Sequence, residues 1–499
     1  MLNDILVAYE KFDVGSTYPS AEYNFNPSIC YPEYPWKKEN ISPEPNEVYE
    51  LVRKSFYALG LDKENYGKSS WNPLGEIIKQ NYSVLVKPNM VISQHEELEC
   101  IVTHPSVIRV VLDYVYIALK GEGSVVIGDA PMQRCNFSDV VNGVKYDKLL
   151  EFYQLNGWHI KILDFRDTCL SKYSNINDDG NFILCDIGNK SFLCDKDKFY
   201  KRYRVTNYDY RKMKVYHNPS AHKYLIRKEV FYADVIIDVP KFKTHKKAGF
   251  TGALKNFVGT VVHKECLPHH IKGSAFSGGD EYLHDSICKK INTFAHEQLD
   301  LINIKQNSYL SKRFYEFILN LSEKMMYRFS QDDYVEGSWY GNDTIWRTFG
   351  DINRILMYAD RNGHIQQTIQ RNIFVVGDMI VAGEKEGPVH ASAKNVGVIL
   401  SGNNPLAVDC VAAKIMGFDY KKIPALKHLL SHQSYAFKNC KYENILLNSV
   451  SKKYKNVKLL ALNDIIDGFI PSSGWKGHVE LEVNVDGEEK NCCSCTAQL

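Results

Sequence analysis

Apolar segments of two kinds alternate along this 499-residue chain. Short apolar runs that end at a proline, an aspartate or a glycine are typical of buried strands. Longer segments, whose apolar positions recur every three or four residues, are typical of helices with one buried face. The alternation of strand, helix and strand predicts an α/β fold with a mostly parallel sheet and flanking helices.

Five buried strands are predicted from the short apolar runs. They are "SVLVKPN" (83–89), "SVVIGDAP" (124–131), "DVIIDVP" (234–240), "NIFVVGD" (372–378) and "NVGVILSG" (395–402). Four helices are predicted from the periodic segments, and they start near residues 46, 103, 343 and 404. The last helix has the strongest end signals, because Asn404 and Pro405 suit its start and Gly417 suits its end.

Changes in pattern divide the chain into three parts. Residues 1–45 contain many prolines and aromatic residues, which predicts an extended N-terminal arm lying on a surface. Residues 46–440 form the α/β domain, with predicted insertions at about 136–228, which is polar and tyrosine-rich, and at about 283–370, which is mostly helical. Residues 441–499 are predicted to be a small C-terminal appendage that ends in a mobile, cysteine-containing tail.

Composition narrows the classes of function. The formal net charge is only +2, with 24% charged residues, so no overall charge favours nucleic acid or an acidic membrane surface as a partner. No apolar run reaches the roughly 18 residues of a membrane span. The 13 cysteines are scattered and odd in number, and the N-terminus lacks a secretion-signal pattern, so a cytoplasmic location is expected. The oligomeric state is left open.

Polar residues follow the predicted strands where each strand ends. In an open parallel sheet, ligands bind at the carboxyl edge, because loops and helix N-termini meet there. Polar loops are common, so one such strand end indicates little, but five together favour a binding site. The candidates for substrate binding at these ends are Lys87, Asn89, Asp129, Lys241, Lys243 and Asp378.

The stretch "KFKTHKKAGFTGALKN" (241–256) combines lysines, a histidine and glycines. Gly249 and Gly252 would let the backbone approach an anion, and free N–H groups at the start of a short helical turn would assist the lysines. His245 and Lys255 are the catalytic candidates, with Asn256 as a substrate-binding candidate. The run does not fit the Walker pattern, so ATP hydrolysis is not indicated.

A second histidine-rich stretch follows at 263–282. His269 and His270 are catalytic candidates, although adjacent side chains often point apart, while Lys264 and Asp280 are substrate-binding candidates. Spacings typical of a structural zinc site are absent, so whether a metal binds is left open. Asp409 lies in an apolar helix and needs a partner, which would be a lysine of the site or neighbouring backbone. The tail cysteines at 492, 493 and 495 do not fit a ferredoxin cluster.

Six of these blocks, in the same order, resemble the DUF362 family. They are "VLVKPNM", "THPSVIRVVLDY", "VVIGDAP", "DVIIDVPKFKTHKKAGFTGALKNFVGTV", "VVGDMIVAGEKEGP" and "NNPLAVDCVAAKIMG", within about 80–420. The family has no settled general reaction. "LPHHIKGSAFSGGDEY" and "WYGNDTIWRTFGDINRIL" look like a subgroup associated with bacterial surface-polysaccharide gene clusters. Some relatives carry an iron–sulfur segment, which this sequence lacks.

"HKKAGFTGALK" is also distantly similar to the nickel-pincer lactate racemase family. In that family a histidine precedes a glycine-flanked aromatic residue and a lysine that tethers the cofactor, and His245 and Lys255 stand at those positions. Ala253 replaces a glycine of that family. The resemblance implies a histidine and a lysine that face a hydroxy acid or another anion, with a nickel cofactor as speculation.

Together these patterns predict an enzyme that acts on an anionic small molecule bearing phosphate or carboxylate. His245 would transfer a proton and the lysines would neutralise the anion. The reaction stays open between isomerase-like chemistry and phosphoryl or glycosyl-phosphate chemistry. The alternatives are a non-catalytic anion-binding or assembly protein, and a racemase- or epimerase-like enzyme with a lysine-tethered cofactor.

Overall fold

A computed structural model describes residues 3–12, 17–37, 40–133, 135–166, 181–305, 308–432, 437 and 440–482 of the chain. The strands are β1 (Leu6–Lys11), β2 (Ser83–Pro88), β3 (Ser124–Asp129), β4 (Lys161–Asp164), β5 (Phe182–Asp186), β6 (Tyr203–Arg204), β7 (His217–Asn218), β8 (Ala221–Arg227), β9 (Val235–Val239), β10 (Lys241–His245), β11 (Gly249–Thr251), β12 (His270–Ile271), β13 (Asn372–Glu386), β14 (His390–Gly402), β15 (Leu446–Asn448) and β16 (Val457–Lys458).

The helices cover both faces of the main sheet and form most of the second insertion, 283–370. They are α1 (Glu47–Ala58), α2 (Pro105–Leu119), α3 (Phe137–Gly143), α4 (Tyr146–Leu155), α5 (Met213–Tyr216), α6 (Lys228–Tyr232), α7 (Ala253–Asn256), α8 (Ile287–Lys305), α9 (Tyr309–Phe329), α10 (Ile345–Tyr358), α11 (Pro405–Met416) and α12 (Pro424–Ser431).

The main sheet is mixed, and its central strands are parallel. Its order is β16-β15-β1-β14-β13-β9-β2-β3-β4, and β10 and β11 attach beside β13. Strands β13, β9, β2, β3 and β4 run parallel, whereas β14 pairs antiparallel with β13 and with β1. The predicted α/β class with a mostly parallel sheet is confirmed.

Alternate residues of the central strands face two separate cores. Leu85 of β2 packs into one core with Ile236 of β9, whereas Val84 and Val86 pack into the other. A parallel strand buried on both faces has to be apolar at nearly every position, which is why these strands read as continuous apolar runs.

Local end signals fix the helices that flank the sheet. His104 caps α2, with its ring accepting a hydrogen bond from the Ser106 N–H, and Pro105 occupies the first turn. Asn404 caps α11 through the N–H groups of Leu406 and Ala407, and Gly417 ends that helix in a left-handed conformation. These ends agree with the predicted helix starts and with Gly417 as the stop.

Both ends of the chain differ from the sequence-based division. Residues 6–11, predicted to belong to an extended arm, form β1 inside the main sheet, because backbone pairing with β14 and β15 gives this apolar run a buried place. In the predicted C-terminal appendage, β15 and β16 extend the same sheet, and Trp475 is fully buried. The predicted mobile tail lies outside the described residues. None of the described helices is long and apolar enough to span a membrane.

Candidate functional site

The chain segment from β9 to α7 forms a layer at the carboxyl edge of the sheet. Strand β10 pairs in parallel with β13 and then turns back into β11, and α7 follows directly. A Cβ atom at Gly252 would lie 2.2 Å from Asp409 Oδ1, so only glycine allows the chain to pass here. The short strand β10 was not predicted, because its lysines resemble a solvated loop.

This layer borders a cavity of about 320 Å³. The cavity wall combines charged and amide side chains with apolar ones. The polar lining includes Asn89, Asp129, Thr206, Tyr208, Lys243, His245, Lys246, Lys247, Lys255, Asn256, Lys264, His269 and Glu336. The apolar lining includes Val91, Ala130, Met132, Val258, Ile345 and Val389.

Lys255 differs from the other lysines that line this cavity. Among the described residues it is the only lining lysine whose amine has no hydrogen-bond or ion-pair partner. Burial, together with the positive charges of Lys264 and Lys247, lowers its pKa to about 7. An amine with such a pKa is partly deprotonated at neutral pH, so it can act as a base or a nucleophile.

The other four lysines of the lining are held by partners. Lys243 donates to Asn89 Oδ1 at 2.8 Å, and Lys246 pairs with Glu386 at 3.2 Å. Lys247 donates to the Thr206 hydroxyl and the Glu336 carbonyl. Lys264 donates to the carbonyls of Val258 and Val261. Burial also lowers the pKa of Lys264, to about 8. The Lys247 amine therefore lies in this wall and not in a solvated loop.

The ring of His245 is fixed by backbone N–H groups. Its Nδ1 accepts hydrogen bonds from the N–H groups of Lys247, at 3.0 Å, and Ala248, at 3.3 Å. Because Nδ1 is the acceptor, the neutral ring carries its hydrogen on Nε2. Burial holds the pKa of His245 well below its usual value, and the charge of Lys255 lowers it further. His245 is therefore set up as a neutral hydrogen-bond donor.

Asp129 supplies one of the two carboxylates that line the cavity, the other being Glu336. It pairs with Lys87 at 2.7 Å and accepts hydrogen bonds from the N–H groups of Met90 and Ala130. A Cβ atom at Gly259 would lie 1.7 Å from Asp129 Oδ1, so glycine is required there. The fully buried Lys87 stands behind Asp129 and does not line the cavity, which makes it a support for the carboxylate.

Asn89 and Asn256 join two strand ends to α7. The Asn89 amide donates to Asn256 Oδ1 at 3.0 Å, and the Asn256 amide donates to Asp238 Oδ1 at 2.7 Å and to the Lys87 carbonyl at 3.0 Å. Burial holds the pKa of Asp238 well above its usual value. This network fixes the orientation of α7, and with it the position of Lys255.

Five further predicted residues lie away from the cavity. Lys241 and Asp378 form a buried pair at 2.9 Å under Tyr18. The Asp280 carboxylate accepts hydrogen bonds from the N–H groups of Ile271 and Asp343 and from the Thr344 hydroxyl. His270 lines a separate small cavity, whereas its neighbour His269 lines the main one. Asp409 caps α7 through the N–H groups of Ala253 and Leu254.

The cap by Asp409 corrects one expectation. The first N–H groups of the helical turn were predicted to bind an anionic ligand, but the carboxylate of Asp409 already accepts from them. Burial raises the pKa of Asp409 to about 7, against the lowering effect of these two hydrogen bonds. The side chains, and not the helix start, are therefore what a ligand can reach.

Sequence reasoning missed the residues that the insertions bring to the cavity. Thr206 and Tyr208 come from the first insertion, Glu336 comes from the second, and Gly259 was not singled out. Burial by itself would raise the pKa of Glu336, but His296 and Lys247 lower it below the usual value. Only the glycine had a local signal, as part of the "NFVGTV" run after Lys255.

Two comparisons with known proteins complete the description of the site. No curated protein matched the chain. The family model described as "Domain of unknown function (DUF362)" matches residues 84–174 and 193–414, more than half of the chain, and the matched ranges contain the predicted site residues. The chain belongs to the DUF362 family.

Proposed function

We propose that the protein is an enzyme acting on an anionic small molecule that bears a phosphate or a carboxylate. The observation that carries this proposal is Lys255, an unpartnered amine with a pKa lowered to about 7 inside a partly apolar cavity. Perturbed pKa values cluster at catalytic sites, because a general base or nucleophile has to be deprotonated near neutral pH. Lys255 would accept a proton or attack the substrate.

Electrostatics favours an anion as the ligand. Five lysines line the cavity, against two carboxylates, Asp129 and Glu336, and Asp129 is already paired with Lys87. Burial is the largest cause of the lowered pKa values of Lys255, Lys264 and His245, and neighbouring positive charges lower each of them further. A bound phosphate or carboxylate would relieve this repulsion.

His245 has a defined role in this scheme. Its Nε2–H would donate to a carbonyl, hydroxyl or phosphate oxygen, in the manner of a neutral electrophile, and the adjacent Asn89 amide would orient the anion. The proton is then moved by Lys255 and not by His245. This reverses the role that the sequence suggested for the histidine.

One observation favours the racemase-like version. His245 and Lys255 line one cavity, as the order of "HKKAGFTGALK" implies for a histidine and a cofactor-bearing lysine. An intact mass that exceeds the polypeptide mass, with the excess mapping to Lys255, would support a tethered cofactor. A role in bacterial surface-polysaccharide metabolism stays a prediction of the resemblance.

The proposal is tested with pyridoxal 5′-phosphate, an anionic aldehyde that forms an imine with deprotonated lysines. After borohydride reduction, peptide mass spectrometry should find Lys255 labelled first, with protection by excess inorganic phosphate. The labelling rate should rise with pH around 7, following the lowered pKa. Label spread evenly over exposed lysines, without phosphate protection, would overturn the proposed site.

Catalysis is separated from mere binding by a second experiment. Extracts rich in sugar phosphates and hydroxy acids are incubated with the wild type, Lys255→Met, His245→Gln and a control, Lys458→Met. Lys458 is exposed on β16 at the sheet edge, so this control makes the same Lys-to-Met replacement without reaching the cavity. Turnover of a metabolite by the wild type and the control only would support an enzyme. Phosphate binding without turnover in any extract would favour the anion-binding alternative.

A further inference from the structure

A second group of chemically active side chains lies in the first insertion. Cys194 and Asp197 lie on a 3-10 helix, Cys194–Arg202, and His222 lies on β8. One ligand atom from each residue, the sulfur, a carboxylate oxygen and a ring nitrogen, all lie within 4.8 Å of one another. None of these residues lines the main cavity.

The hydrogen bonds of a neighbouring histidine fix the state of His222. His217 Nε2 is 2.8 Å from the Cys266 carbonyl, which can only accept, so this nitrogen carries a hydrogen. The His217 ring is fully buried, and within the described part of the chain no carboxylate contacts it, so it is neutral and its Nδ1 is an acceptor.

His222 therefore presents a lone pair toward Asp197. Its Nδ1 is 3.2 Å from His217 Nδ1 and has to donate to it, which leaves Nε2 without a hydrogen in the neutral ring. That Nε2 lies 3.1 Å from Asp197 Oδ1. Two acceptor atoms in contact repel each other unless a cation lies between them.

A shared proton fits this contact poorly. Both His222 Nε2 and Asp197 Oδ1 are almost inaccessible to water, and within the described residues neither has a hydrogen-bond partner of acceptable geometry. The two atoms are close, but they are not aligned along one N–H···O line. Such a misaligned contact is expected of two atoms that bind the same third atom. His222 as a whole is only 1% exposed, so the unpaired atom is not compensated by solvent.

We propose that Cys194, Asp197 and His222 bind one divalent transition-metal ion, with zinc as the best fit. Sulfur, imidazole and carboxylate are zinc ligands, and the bond lengths of about 2.0–2.3 Å place tetrahedral ligands about 3.3–3.8 Å apart. A thiolate and a carboxylate neutralise the charge of the ion, so burial is tolerated. The hydrogen-bonded relay from Cys266 through His217 fixes the ligand ring, as outer-shell partners do in known metal sites.

The segment that carries two of the ligands is held in place. Asp195 pairs with Arg347 of α10 at 2.5 Å, and Asp351 accepts hydrogen bonds from the Ser191 hydroxyl and the Phe192 N–H. Cys194 also lines a second cavity, of about 720 Å³, which gives an ion a route to the sulfur. With three protein ligands, the fourth position is left for water or another small ligand.

The test uses the full chain, stripped with a chelator under reducing conditions and then titrated with Zn²⁺ or Co²⁺ alone. One equivalent should bind, and bound Co²⁺ should show thiolate-to-metal charge-transfer absorption. Cys194→Ser should abolish that absorption, and Asp197→Asn and His222→Gln, which remove direct ligands, should each weaken affinity by more than the roughly 10- to 100-fold that loss of an outer-shell partner costs. Zn²⁺ should raise the thermal unfolding temperature of the wild type but not of the variants.

The controls make the result decisive. A triple serine variant at Cys492, Cys493 and Cys495 removes the tail thiols, and Cys30→Ser removes an exposed thiol elsewhere. Both controls should retain the bound equivalent. No binding by the wild type, binding that survives in Cys194→Ser and His222→Gln, or binding that is lost with the tail thiols would each overturn the proposal. Circular dichroism of each variant separates lost binding from lost folding.

Discussion

Two lysines of the same segment, Lys241 and Lys255, have opposite environments. Lys241 is fully buried, its amine lies 2.9 Å from Asp378 Oδ2, and it also donates to the Tyr18 hydroxyl. Lys255 lies in the cavity wall and, among the described residues, has no such partner. Burial lowers the pKa of both amines, but the charge of Asp378 opposes this effect at Lys241 only.

This difference separates a structural lysine from a functional candidate. A buried ion pair in which both groups are satisfied holds two elements together, here β10 and β13. An unpaired buried amine costs stability and is retained where it serves chemistry. Both residues are lysines of the same short stretch, 241–256, so only the groups that they contact distinguish them.

The largest expected effect is the loss of stability when the paired Lys241 is replaced. Lys241→Met would leave Asp378 buried without its cation, so we expect the free energy of unfolding to fall by about 3–5 kcal/mol. Urea unfolding followed by circular dichroism measures it. The double variant Lys241→Met/Asp378→Leu should recover part of the loss. A single variant as stable as the wild type would mean that the pair does not hold β10 and β13.

Replacing the unpaired Lys255 is expected to change the free energy of unfolding in the opposite direction. The pKa of Lys255 is about 7 in the folded protein and about 10.4 in the unfolded chain, so the folded state binds fewer protons between these values. Lys255→Met should therefore raise the free energy of unfolding, by about 2–4 kcal/mol at pH 7. The gain should shrink as the pH rises toward 10, where the unfolded lysine also loses its charge. A gain that is independent of pH would contradict the lowered pKa.

The smallest expected effect is proton uptake when an anion binds. Sulfate is suited to this test because it does not titrate near pH 7.5. Its charge should raise the pKa values of Lys255 and Lys264, so binding should take up at most about one proton in all, most of it at Lys255, measured by calorimetry in buffers of different ionisation enthalpy. The part of the uptake that belongs to these two amines should vanish at pH 5.5, where both are already charged, and at pH 7.5 the total uptake should shrink in Lys255→Met. Equal uptake by the wild type and Lys255→Met would assign the protons to other groups.

The parts of the fold that follow from local physics were predictable. Strands β2, β3 and β9 are apolar runs ended by Pro88, Asp129 and Pro240, and α11 has its cap, its proline and its final glycine in sequence. Pairing between distant segments was not predictable. Strand β1 looked like part of an arm, because nothing near it shows that β14 and β15 lie on either side of it.

The candidate site also has a part that local sequence signals identified and a part that only the folded chain shows. Asn89, Asp129, Lys243, His245, Lys255, Asn256, Lys264 and His269 were named from strand ends and short motifs, and the structure places them around one cavity. Asp378 and Lys241 carry the same local signals but neutralise each other under Tyr18. Cys194, Asp197 and His222 have no recognisable spacing, because β8 meets the 3-10 helix only in the folded chain.

The sequence by itself determined five strands of the main sheet, the helices that flank it, the family and most of the groups available at the sheet edge, because these depend on contacts between near neighbours and on glycine at fixed positions. The tertiary structure alone decided which groups are paired, and hence which amine is free to react. Pairing depends on the distance between side chains far apart in the chain, and a change of a few ångströms turns a charge that is neutralised into one that is not.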